Sequence, residues 1–195
     1  MGTQFCRENK SRGRARTERG VALLELAIVL PVLALFIFGI IDFGRLIQAR
    51  LIITNVSREG GSLASREIKV GADLGALLQS SASPLDMGAW GKIYVSRIKC
   101  GVSDAEPDPV IDSQDSCGNL AVASVIGAGQ PRLGLSPAMY NHLVYNNDNR
   151  TADLSELTVV EVYYKYRPIT PLPAFAQNVL LGGGDGFVFG SRAVF

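Results

Sequence analysis

The sequence predicts an α+β fold: one long N-terminal helix, membrane-spanning in its first half, with a small antiparallel sheet packed on its outer half. Three observations predict it. A basic block leads into an apolar run over 21–41. A seam of helical period continues beyond that run. Alternating, β-favouring segments then appear in the second half of the chain.

The leader comes first. Residues 1–20 hold Arg7, Lys10, Arg12, Arg14, Arg16 and Arg19 against Glu8 and Glu18, leaving 13 basic and 16 acidic residues for the other 175. The overall charge of +1 therefore hides a compact basic end. Beside an apolar run such a block is a topology signal, because Lys and Arg are retained in the cytoplasm. It predicts a single-pass membrane protein, its N-terminus cytoplasmic and everything after Asp42 exported. Membrane lipid is the partner this implies, and no nucleic acid.

Val21–Ile41 is 21 residues long, about 31 Å as a helix, which matches the roughly 30 Å of hydrocarbon in a bilayer. The run is too long for the core of a signal peptide, and no A-x-A-like site follows it. Pro31 removes the hydrogen bond to the carbonyl of Ala27 and is expected to kink or loosen the span. Glu25 is the anomaly. A carboxylate at mid-bilayer costs about 2.5–3.5 kcal/mol on insertion scales, so it usually has a partner.

Past the span, Leu46, Ala49, Ile53, Val56, Gly60 and Leu63 recur at alternating spacings of three and four, which carries the helix on to about Glu67. The Gly60–Gly61 pair, about 1 kcal/mol per glycine relative to alanine, is expected to bend or end it. The chain thus divides into a leader (1–20), a transmembrane half-helix (21–41), an amphipathic half-helix (42–68) and an α+β domain (69–195).

Within that domain 92–100 and 157–167 alternate as strands, with Val160, Val162, Tyr164 and Tyr166 on one face. The segments 119–127 and 187–195 are weaker strands. Helices are expected at 73–80, at 136–145 with Ser136 as cap and Pro137 first, and at 173–181. The stretches 81–88 and 146–153 read as loops. The acidic stretch 104–115 reads as a solvated loop, and as a calcium site it lacks the D-x-[DN]-x-[DN]-G spacing.

Cys6 lies in the cytoplasmic block, whereas Cys100 and Cys117 lie in the exported part. Two readings are open for that pair: a disulfide closing a loop of about 17 residues, worth about 3 kcal/mol, or two buried free thiols. His142 is the single histidine, and no G-x-S-x-G, H-E-x-x-H or P-loop occurs. The glycines of 182–186 follow an expected helix instead of opening one. No catalytic residue, metal ligand or cofactor is expected, and the chain does not read as an enzyme.

Gly20 followed by Val-Ala-Leu-Leu-Glu, G-x-x-x-x-E at a cytoplasm–membrane boundary, resembles the type IV prepilin cleavage motif. The likeness narrows further. Glu25, Pro31 six residues on, and the closing Gly39-Ile40-Ile41-Asp42-Phe43-Gly44-Arg45 resemble the TadE-like pseudopilins of the tight-adherence (Tad, Flp pilus) system. Residues 58–67 are similar to that family's Arg-Glu-Gly-Ala-Arg region, with Gly61 where alanine is usual, and 160–172 to its closing strand.

The resemblance implies a cut between Gly20 and Val21 by a prepilin peptidase. It also implies three sets of partners: other Tad pseudopilins, the major pilin and an inner-membrane assembly platform. Leu26 stands where the major pilins carry Tyr, which implies a minor pseudopilin. Entry into the surface filament is left open.

Cleavage would create an α-amino group at Val21, with a pKa of roughly 7.7–8.0 when unperturbed, opposing the helix macrodipole. Glu25 lies about 6 Å along the axis. It can offset its own amine, pair with that of a staggered neighbour, or snorkel to the head groups. Asp42 and Arg45, spaced i, i+3 where lipid ends, are expected to fix helix depth. The alternative reading is an uncleaved inner-membrane anchor presenting a periplasmic binding domain, which needs neither Gly20 nor Glu25.

Overall fold

A computed structural model describes residues 9–65, 72–146, 151–169 and 186–195. Helix α1 (Asn9–Ser65) runs for 57 residues and begins inside the leader. Neither Pro31 nor the Gly60–Gly61 pair interrupts it. Helices α2 (Ala72–Ser81) and α3 (Met87–Trp90) precede strands β1 (Gly91–Lys99) and β2 (Val110–Cys117). A 3-10 turn (Pro131–Gly134) and helix α4 (Pro137–Leu143) lead to β3 (Glu156–Tyr166) and β4 (Phe187–Val194). The strands form one antiparallel sheet in the order β2-β1-β3-β4. The fold is α+β, with the sheet packed against the outer half of the long helix.

The helical seam explains the docking. Ala49, Ile53 and Val56 are at most 2% exposed, and with Leu46 and Leu63 they face Ile93, Val95, Val160 and Val162 of the central strands. Leu74 and Leu78 of α2 close the same layer. The expected face of β3 (Val160, Val162, Tyr164, Tyr166) is the one against the helix. Gly60 and Gly61 do not end the helix because close approach requires them there. A Cβ on Gly60 would stand 2.6 Å from Leu78 Cδ1, and one on Gly61 would stand 2.0 Å from the ring of Phe195.

The opposite face of the sheet is also covered. Ile98, Leu157 and Val159 pack with Ile126, Leu135 and Leu143. Here the strand expected at 119–127 is replaced by irregular chain laid over the sheet, and the fourth strand is β2, which begins within the acidic stretch read as a loop. The reason is physical. An edge strand buries little, so β2 keeps Asp112, Ser113 and Asp115, while the apolar Val122 and Ile126 mark a cover segment. Two of the acidic side chains have partners: Asp108 accepts from Tyr140 Oη and Asp112 pairs with Lys99.

Helix α4 begins as expected, with Ser136 accepting from the Met139 N–H and Pro137 next. The stretch 81–88, read as a loop, ends in the first turn of α3, capped by Asp86. The helix expected at 173–181, Cys6, and part of the 146–153 loop lie outside the described residues.

Cys100 and Cys117 are both free thiols, which corrects the disulfide reading. Antiparallel register sets Cys117 opposite Ile93, whereas Cys100 follows Lys99 at the far end of β1. Seven residues of strand separate the two levels, about 23 Å at 3.3 Å per residue, against the roughly 7 Å a disulfide allows between Cα atoms. Cys117 instead faces Gln79 of α2, its Sγ 3.0 Å from Oε1.

Candidate functional site

Along the span, side chains from Val21 to Ile41 are largely exposed, among them Leu24, Leu26, Ile28, Phe36 and Ile40. No other described helix is long and apolar enough to cross a membrane, and the most apolar window of α1 is not buried by the chain at all. Twenty apolar residues held out of a protein core require another apolar surrounding. One such helix among the described residues fits a single-pass membrane anchor. Glu25 is exposed within it, near its start.

At the other end of the span the chain folds back on itself. Asp42 is 8% exposed, although it was expected at a lipid edge with Arg45 as its counterpart. The Tyr166 hydroxyl donates to the Asp42 carbonyl oxygen at 3.0 Å, and the Ile169 N–H donates to Asp42 Oδ1 at 3.2 Å. The last turn of the span is therefore tied to the closing end of β3. Burial raises the pKa of Tyr166 first, and the charge of Asp42 raises it further, while Arg45 opposes both. Arg45 is itself exposed.

The expected site residues do not converge on one point. Gly20 and Val21 lie within continuous helix, and Glu25 is 17 residues before Asp42, about 26 Å by helix rise. Beyond the backbone of their own helix turns and their chain neighbours, Gly39 and Gly44 have no atom within 4 Å of where a Cβ would lie. Only Asp42 and its neighbourhood join span to sheet.

Residues 20–62 match the family model described as TadE-like protein. These residues form a TadE-like domain. The match opens on Gly20, takes in Glu25, Pro31 and Asp42, and closes one residue after the Gly60–Gly61 pair. The sheet lies wholly outside it. No curated protein and no solved structure matches the chain. The TadE-like match and the exposed apolar helix together fit a membrane-anchored protein associated with the Tad pilus.

One polar centre was missed from sequence. Glu161, 1% exposed on the covered face of β3, accepts from Ser124 Oγ, from the Val125 N–H at 3.3 Å and from Tyr163 Oη at 3.1 Å. Gln114 Nε2 reaches Ser96 Oγ, Ser124 Oγ and the Ile126 carbonyl within 3.1 Å. Together they pin the irregular segment to the sheet in place of strand pairing. Tyr163 has its pKa pushed up to about 12, by burial and then by the Glu161 charge. A charged residue at the centre of an otherwise apolar strand, Val-Val-Glu-Val, was the available signal.

Proposed function

We propose that the chain is a minor pseudopilin of the Tad (Flp) pilus machine. It is inserted in the inner membrane with its N-terminus in the cytoplasm and its sheet domain in the periplasm. The prepilin peptidase cuts it between Gly20 and Val21. Helix α1 then packs with other pseudopilins and the major pilin on the assembly platform.

The observation that carries this reading is the position of Glu25. It is a carboxylate exposed in an apolar span, five residues beyond the glycine on which the TadE-like match opens. Such a group calls for a partner, and a staggered neighbour's new amine at Val21 has the right charge and depth. Gly39 and Gly44 support the same reading. Each costs about 1 kcal/mol in a helix, and no contact within the chain offsets it, whereas small residues let helices approach closely in a membrane.

Glu25→Ala and Glu25→Gln test the role in assembly. Both variants should insert and be processed, because neither change adds polarity to the span. Both should lose filaments, or crosslinking to other pilin subunits. Normal filaments in both would contradict it.

One observation favours the uncleaved anchor. Helix α1 continues from Asn9 through Gly20, so the Gly20–Val21 peptide sits inside a helix and must unwind before a protease can cut it.

A further inference from the structure

We propose that the end of the sheet nearest the span rests on the bilayer surface, so that the folded domain is seated on lipid head groups and not held clear of them. This rests on Val21–Ile41 spanning the membrane and does not depend on a role in the pilus.

Asp42 sets the height. It is the first residue after the apolar run, where hydrocarbon gives way to head groups. The Tyr166 hydroxyl and the Ile169 N–H are both hydrogen-bonded to it, so the lower end of β3 and the chain just after it lie at that depth. In register with them, Phe187 of β4 stands opposite Tyr166. Trp90 precedes Gly91, which pairs with Tyr164, and the Arg167 guanidinium lies 4.4 Å from the centre of its ring.

Apolar and cationic groups predominate at this level, with Asp86, the cap of α3, as an exposed acidic neighbour of Tyr164. Ile169 is 64% exposed and Phe187 is 52% exposed. Aromatic rings, bulky aliphatic groups and cations at one level make the composition of an interfacial belt, the rings at head-group depth and Lys165 and Arg167 toward phosphate.

The single tryptophan of the chain is Trp90, which makes it the probe. The full chain is reconstituted into vesicles of phosphatidylcholine and phosphatidylglycerol carrying nitroxide-labelled head groups. Trp90 emission should lose most of its intensity, and Ile169→Asp, at an exposed position, should restore part of it. Full emission beside labelled head groups would overturn the proposal, as would quenching that Ile169→Asp leaves unchanged. A second variant, Phe36→Trp with Trp90→Phe, places the probe within the span and is read with nitroxide at mid-acyl depth. Deep quenching there without head-group quenching of Trp90 overturns the seating alone. Absence of deep quenching overturns the spanning assignment and the seating with it.

Discussion

The Tyr166 hydroxyl and the carbonyl of Asp42 meet at 3.0 Å across 124 residues of sequence, joining the last strand turn before Pro168 to the end of the span. The Asp42 carboxylate takes the Ile169 N–H as well. The two bonds serve as a hinge-pin between the anchor and the domain.

That junction gives an ordered set of losses. Tyr166→Phe should cost about 1 kcal/mol, the usual net worth of one hydrogen bond. Asp42→Ala should cost more, about 1–3 kcal/mol, because a backbone N–H is left without its acceptor. Asp42→Asn keeps an oxygen acceptor and should be milder. Denaturant unfolding in detergent, followed by Trp90 fluorescence, measures all three. Equal stability of the Ala and Asn variants would contradict the acceptor role.

The adjacent glycines should respond differently. In Gly60→Ala, about 1 kcal/mol of helix propensity is gained. The new methyl meets Leu78 and Val160, both 0% exposed, 2.6 and 3.2 Å away. Overpacking a rigid core costs about 1–3 kcal/mol, so a net loss is expected. Gly61→Ala meets the Phe195 ring, which is 44% exposed and can turn outward. Its loss should be smaller, consistent with alanine being usual at this place in the family it resembles. A Gly61→Ala loss larger than that of Gly60→Ala would contradict the assignment.

Alkaline pH should destabilise the domain. Folded Tyr163 has its pKa raised to about 12 from an ordinary 10.0, so the folded state holds the phenol proton more tightly than the unfolded state. Its contribution is complete below pH 10 and is lost as pH rises from there through about 12. Tyr140, Tyr164 and Tyr166 are shifted in the same direction and add to the slope. Tyr163→Phe should flatten the fall in stability over that window, measured by denaturation at stepped pH. An unchanged slope would contradict it.

The long helix, its buried seam and the two central strands were legible in the sequence because each combines period with burial. Ile53 and Val160 are buried for the same reason that they recur at their spacings. The edge strand β2 was not legible, since an edge bonded on one side tolerates Asp112 and Asp115 and loses its alternation. The cover segment 119–127 misled in the opposite sense. Ile126 does pack against the sheet, but the segment's backbone is held by Tyr94, Gln114 and Glu161 side chains and not by a ladder. The disulfide reading failed on register, which cysteine spacing does not carry. The sequence placed Asp42 at the edge of the span, but only the fold showed it buried and bonded to Tyr166 of β3.

The most direct measurement is the N-terminal sequence and intact mass of the chain extracted from membranes of a cell that has the prepilin peptidase. We expect the mature chain to begin at Val21, with residues 1–20 lost, and Gly20→Trp to retain the full-length precursor in the membrane. An intact mass corresponding to residues 1–195 in the wild type would contradict processing, and would leave the chain an uncleaved anchor.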